Sequence, residues 1–376
     1  MNRIFGFESS VARSLVEYCG SAGKLFLMSP EERSDLLGPF SKYSSRICEK
    51  ELETSSKELD MISRGGYSFI PYGDPSYPEL LKECNDAPMG LYVRSGTSAG
   101  DLFNKNPCIA IVGTRDISPY GAEWCRRIVG AIATARIKPV IVSGLAIGVD
   151  ITAHSAAVDN SLATIAVMAT GVDSVYPALH KGFAKKIEKT PGCALISDYP
   201  PGTVPVAVNF LRRNRIIAGL CTATILVESK EKGGGMITAD IANSYNRDVY
   251  ALPGRIDDTR SQGCNRLIRG KIAEPITDLD NFVNALGLGA YSRRTPRDLD
   301  EEIIRIYGGT FSDELLGMIR KTAGLIKKYR GATLDEICSL GEMNWKDVSY
   351  ASGLLENDGI ITIDLLQRCF INVKKD

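Results

Sequence analysis

Six short apolar runs punctuate the middle of the chain, each stopped by a turn residue or an acid. They cover residues 108–112, 140–142, 163–168, 194–196, 223–227 and 249–252. The stops are Gly113, Ser143-Gly144, Thr170-Gly171, Ser197-Asp198, Glu228 and Pro253-Gly254. Stretches of helical character, 121–135, 150–158 and 237–245, lie between several of them. Apolar runs of this length without alternation are strands buried on both faces. Alternated with helices, they build an α/β fold with a doubly wound, mostly parallel sheet. Ligands of such sheets bind outside the carboxyl ends of the strands, so the loops after these runs are the place to look for chemistry.

The flanks follow other patterns. Up to about residue 65 the chain reads as short helices. Val11, Leu15 and Val16 fall near helical spacing, and Ser29-Pro30-Glu31-Glu32 combines a cap, an N1 proline and first-turn acids. Residues 50–64 form one more helix, closed by Gly65-Gly66. Prolines at 71, 75, 78 and 88 exclude a long helix and predict an irregular connecting arm over 71–96. Residues 288–297 read as a linker. Helices near 298–307 and 312–329, a capped start at Thr333 to Glu336, a helix over 345–357 and paired strands over 360–363 and 368–373 outline a winged helix. The expected domains are a small helical one (1–66), the sheet (67–287), a linker (288–300) and a winged-helix-like tail (301–376).

Composition adds limits. In 376 residues, 45 basic and 45 acidic side chains cancel, so total charge advertises no polyanion partner. Locally, residues 205–271 hold eleven Lys/Arg against six Asp/Glu, whereas 300–376 hold ten against thirteen. A basic surface, if present, lies mid-chain, and the acidic tail repels phosphate and reads as a protein-contact module. Ten cysteines stand at least seventeen residues apart and there are two histidines, so no zinc spacing exists and no metal is expected. Scattered thiols, no signal-peptide core in the first residues and no run near ~18 apolar residues predict a cytoplasmic chain with no membrane span.

The densest signal is Asn209 to Gly219, N-F-L-R-R-N-R-I-I-A-G. Arg212, Arg213 and Arg215 sit with Asn209, Asn214 and one aromatic, Phe210, directly before an apolar run. Guanidinium forks match phosphate oxygens and stack on bases. Other loops add to it. Gly113-Thr114-Arg115 follows a strand and precedes a helix, the arrangement of a backbone anion site. Ser143-Gly144 to Gly148 again lets backbone approach a ligand. Thr170-Gly171 leads to Val175-Tyr176-Pro177. Lys230 and Lys232 precede Gly233-Gly234-Gly235, a candidate amide nest. Arg255, Arg260 and Arg266 add charge. Asp150 and His154, four apart, share a helix face; with no nucleophile nearby, a structural histidine is favoured over a general base. G-x-x-x-x-G-K-[ST] and G-x-S-x-G are absent, and no carboxylate cluster stands ready for magnesium. Together the loops read as a groove for a polyanion.

Taken in order, I-V-G-T-R (111–115), S-G-L-A-x-G-x-D-x-x-A-H (143–154), G-V-D-S-V-Y-P (171–177), N-F-L-R-R-N-R-I-I-A-G (209–219), I-T-A (237–239), P-G (253–254) and G-x-N-x-L-I (263–268) resemble the DNA-processing protein A (DprA/Smf) family. Tyr77-Pro78, Asp86-Ala87-Pro88 and Leu91-Tyr92 agree with the family's upstream pattern. The resemblance spans roughly residues 70 to 280. It implies an extended Rossmann-like fold that binds single-stranded DNA, forms a homodimer and helps load the RecA recombinase on incoming DNA during natural transformation. No catalysis and no cofactor are implied. By position, Gly113 and Arg115 would bind a phosphate, Ser143, Gly144 and Gly148 would line its pocket, and Asn209, Phe210, Arg213, Asn214 and Arg215 match N-F-P-x-R-N-R. Leu211 replaces the family's proline, which predicts a looser turn there, and Gly233-Gly234-Gly235 replaces S-G-S. The alternative is a nucleotide- or phosphoribosyl-processing enzyme on the same fold, with Asp150–His154 or Glu228 as acid/base.

Overall fold

The computed structural model describes residues 1–38, 40–289, 299–309, 311–329, 331–364 and 367–371. The chain divides into two compact units, Met1–Tyr291 and Ser292–Asp376. All six apolar runs are strands. In chain order the first unit contains β1 (Ser68–Pro71), β2 (Gly90–Arg94), β3 (Cys108–Val112), β4 (Val140–Ser143), β5 (Thr164–Val167), β6 (Ala194–Ser197), β7 (Ala223–Leu226), β8 (Asp248–Ala251) and β9 (Glu274–Pro275). They form one sheet in the order β1-β2-β6-β5-β4-β3-β7-β8-β9. From β6 to β9 every pairing is parallel, while β2 runs antiparallel to β1 and β6.

From β3 to β7 neither face of the sheet meets water, which is why these strands carry no polar alternation. Ile109 and Ile111 of β3 pack with Ile128, Ile132 and Ala153 from helices Pro119–Ile132 and Val149–Asp159. Ala110 and Val112 point the other way, to Ile216, Ile217 and Ala239 of helices Ala207–Leu220 and Gly234–Ser244. The strand order reverses at β3, whose neighbours are β4 and β7. Loops from both halves therefore meet above the carboxyl ends of these strands.

The arm differs from its expected irregular form. Leu91, Tyr92 and Val93 form a buried strand that adds to the open edge of β6, with Tyr92 opposite Ser197 and Val93 opposite Ile196. The prolines lie outside β2 or at the end of β1, so they interrupt helix without blocking this pairing. The residues before β1 form short helices around Ile4, Phe5, Leu15, Leu25 and Ile47, with Met89 of the arm completing the cluster. Ser29 caps the helix Pro30–Leu37 as expected, and Glu32 completes a reciprocal capping box.

In the second unit, helices Leu299–Tyr307, Asp313–Lys328, Leu334–Gly341 and Trp345–Asn357 precede an antiparallel hairpin of β10 (Ile361–Ile363) and β11 (Cys369–Ile371). Ile319, Ile337, Val348, Leu355 and Cys369 fill its core, a winged-helix-like arrangement. Most of the expected linker, residues 290–298, and the end of the expected last strand, 372–373, lie outside the described residues. Among the described residues no helix is long and apolar enough to cross a membrane, and no group of three or more His, Cys, Asp or Glu is placed to hold a metal ion.

Candidate nucleic-acid interface

Two of the loops expected to cradle phosphate already hold carboxylates of the protein. Glu228, which follows β7 and is 1% exposed, reaches the start of helix Pro119–Ile132. Its carboxylate accepts the Ser118 N–H at 2.9 Å and the Ser118 hydroxyl, and Ser118 Oγ accepts the Gly121 N–H at 3.0 Å. The positive end of this helix is thus neutralised from within. In the second loop, Asp150 Oδ2 accepts the Gly144 N–H at 3.1 Å and the Ala146 N–H at 3.3 Å. Burial pushes the Asp150 carboxyl up from its ordinary pKa, while Arg213 and these N–H donors pull it back. A nucleotide phosphate placed on the backbone N–H groups of either loop would meet donors already taken by a carboxyl group.

Asp150 and His154 do not form an acid/base pair. The Thr164 hydroxyl donates to the Ile141 carbonyl at 2.8 Å, so its oxygen accepts from His154 Nδ1, 2.7 Å away. Burial, with Arg213 and His180 nearby, lowers the His154 pKa to about 3. The ring is neutral and inside the protein, the structural role favoured in the absence of a nearby nucleophile, with Thr164 rather than Asp150 as its partner.

Helix Ala207–Leu220 sorts its polar residues into two kinds. Arg213 is buried, and its Nη1 donates to the Gly144 carbonyl at 2.8 Å and to the Val167 carbonyl. It staples the ends of β4 and β5 to the helix. A Cβ at position 144 would collide with the guanidinium, so this glycine makes room for Arg213 rather than for a ligand. Arg215 is also buried, paired with Asp198 at 2.6 Å and donating to the Asp86 carbonyl. Asn214 Nδ2 donates to the Gly234 carbonyl at 3.5 Å, and Asn209 is buried. Arg213 and Arg215 were expected as surface phosphate clamps; their N–H groups point into the protein instead, because this helix is packed on more than one side, with Arg213 against the ends of β4 and β5 and Arg215 against Asp198 and the arm at Asp86. The expected loose turn at Leu211 is helical. Leucine keeps the N–H that a helix begun at Ala207 requires and a proline would remove.

The residues left facing outward form a smaller set. Arg115 is exposed, and its guanidinium lies 5.3 Å from the Phe210 ring centre. Tyr176 meets the same ring edge-on at 5.4 Å. With Ala146, Ile147 and Pro177 they line a cavity of about 60 Å³ at the carboxyl edge of the sheet. Among the described residues no carboxylate pairs with Arg115. Gly113 and Thr114 form the base of its loop. Gly148, at φ +84°, crosses so close to the Thr114 carbonyl that a side chain would clash, which brings the second loop against the first. Lys230 and Lys232 are exposed on the loop after β7, and Gly234 is exposed at the start of the helix that follows.

Other expected site residues lie inside. Ser143 donates to the Ile111 carbonyl at 2.6 Å and Gly171 to the Thr203 carbonyl at 3.2 Å. Arg255, Arg260 and Arg266 reach Asp257, Asp116 and Glu231 at 2.8, 3.0 and 3.7 Å, so their charge is partly offset. Tyr176 was visible only as the centre of V-Y-P. Nothing in the sequence pointed to Phe7, whose ring lies under Arg212 at 4.2 Å.

A model of the DNA recombination-mediator protein A family matches residues 68–287, more than half of the chain and the whole sheet that carries these loops. The chain belongs to this family. It is 38% identical to protein Smf of Synechocystis over 219 residues, which is 58% of this chain and 54% of that protein. It is 41% identical to the DNA processing protein DprA of Streptococcus pneumoniae over 196 residues, 52% of this chain and 66% of the other. The alignments thus span about half to two thirds of these relatives. The crystal structure of the pneumococcal DprA covers 75% of this chain and 94% of its own, with a TM-score of 0.63 at 31% identity. The Helicobacter pylori protein, whose structure was described for its single-stranded DNA binding mode, covers 58% of this chain and 95% of its own, with a TM-score of 0.51 at 30% identity.

Proposed function

We propose that this family member is a single-stranded DNA-binding recombination mediator that contacts the strand at the Arg115–Phe210–Tyr176 cluster. One observation carries the reading: an exposed guanidinium with no carboxylate partner among the described residues, laid against an aromatic pair, at the mouth of the sheet. Arg115 would hold a phosphate, and Phe210 and Tyr176 would stack a base. Lys230, Lys232 and the amide of Gly234 add phosphate contacts, and Arg212 adds charge on the far side of the helix. Gly113, Thr114, Ser143, Gly144, Gly148 and Gly171 shape the loops, while Asn209, Arg213, Asn214 and Arg215 position the helix. The single-strand binding of the Helicobacter relative supports this assignment.

A stack of this kind needs a base with a free face, which a duplex does not offer. Anisotropy titrations with matched single- and double-stranded oligonucleotides are expected to favour the single strand. The logarithm of its binding constant should fall with the logarithm of salt by about 0.7 per phosphate contacted. Equal affinity for both forms would sink the proposal.

Family membership supports the rest of the reading: a homodimer that acts in the cytoplasm, protects incoming DNA and hands it to RecA during natural transformation. Addition of the protein should speed RecA assembly on a strand coated with single-strand-binding protein, and an unchanged rate would remove that part. We propose no catalysis. The enzyme alternative needs Glu228, Asp150 or His154 at a substrate, and all three are buried and bonded within the protein.

A further inference from the structure

Arg212 leaves the helix on the side away from Phe210, and its guanidinium lies 4.2 Å from the Phe7 ring centre. Phe7 belongs to the N-terminal helical segment, outside the residues 68–287 matched by the family model. Its ring also lies 5.4 Å from the Arg215 guanidinium and 5.7 Å from the Tyr199 ring. Asn2 Nδ2 donates to the Asp198 carbonyl at 2.9 Å, and Asp198 in turn holds Arg215. The N-terminal segment is therefore anchored beside the arginine helix, and the aromatic it contributes is only partly buried. Arg212 is exposed and, among the described residues, no carboxylate pairs with it. One face of its guanidinium lies on the ring, while its N–H edge stays available.

We propose that Phe7 and Arg212 form a second contact step for the same single strand, extending its path from the Arg115–Phe210 cluster across the start of the helix onto the N-terminal segment. The inference rests on the single-strand reading above. Two exposed guanidiniums, each laid on an aromatic ring and each without a carboxylate partner among the described residues, flank one helix start. That repeat of phosphate donor and stacking face suits successive nucleotides of a flexible polyanion. Phe7 acts here as a positioning residue: it fixes a long side chain that would otherwise sample many rotamers.

The test uses the full chain with oligothymidylates of about 5 and about 20 nucleotides, bracketing one and several contact steps. Arg212→Gln and Phe7→Leu are each expected to weaken the longer strand about 3- to 10-fold, a loss in the range of an exposed or partly desolvated cation–π contact, and to leave the shorter one unchanged. Arg212→Gln should also flatten the salt dependence by about 0.7 for the longer strand. Phe7→Tyr should restore wild-type binding, because it keeps the ring. If Arg212→Gln binds both lengths like wild type while Arg115→Ala weakens both, the second step does not exist and the first site stands. If Arg115→Ala also binds like wild type, the underlying reading fails. Should Phe7→Leu lower the melting temperature, Arg212→Gln decides alone, since its side chain is exposed and makes no hydrogen bond or ion pair among the described residues.

Discussion

Arg213→Ala is expected to lower the stability of the sheet-bearing unit by about 3–5 kcal/mol, read as a shift of the chemical denaturation midpoint. The loss has three sources. The carbonyls of Gly144 and Val167 lose the donor that joins them, and each buried acceptor left without a partner costs about 1–3 kcal/mol. Asp150, buried in the same loop, loses the cation that offsets its desolvation. A cavity opens where the guanidinium filled the space above Gly144. Arg213→Lys should fall between the two, since an ammonium keeps the charge but not the planar fork that spans two strand ends. A variant as stable as wild type that has lost its affinity for single strands would show the reverse: that Arg213 meets the ligand and its buried bonds carry little.

The second large effect is expected on binding with stability held. Phe210→Ala should weaken single-strand binding by about 1–3 kcal/mol, roughly 5- to 150-fold, the range for removing one base-stacking aromatic. Arg115→Ala should weaken it at least several-fold and reduce the salt slope by about 0.7. Because the two groups touch, the double variant should lose less than the sum of the single losses, and that non-additivity reports the cation–π contact directly. The midpoint of denaturation should stay near wild type for Arg115→Ala, whose side chain is exposed. Single variants with unchanged affinity would leave the cluster without a role.

These two predictions give different roles to Arg213 and Arg115, which the family motifs place together in one phosphate site. Residues 209–215 read as one basic cluster. Packing splits it: positions 213 and 215 are buried against different neighbours while 212 stays in water. Local patterning could not show this, because the partners are remote. Arg213 meets Val167 from 46 residues away and Ser118 meets Glu228 from 110. The same holds for the arm. Its prolines were legible as helix breakers, but the strand at Gly90–Arg94 exists because the edge of β6 is there to pair with.

By itself the sequence determined the α/β class, the six buried strands, the helix caps and the family. Those features arise from neighbours along the chain: apolar runs with no polar face, serine or threonine three residues before glutamate, and glycines that end strands. Only the tertiary structure decided which charges reach solvent. Glu228 and Asp150 settle in the two loops that looked made for phosphate, and Arg213 and Arg215 in the protein's own joints. Arg115, Arg212, Phe210 and Tyr176 are left at the surface. The physical reason is that a charge in a sequence carries no mark of burial. Its fate depends on whether folding brings a carbonyl, a carboxylate or water within reach of it.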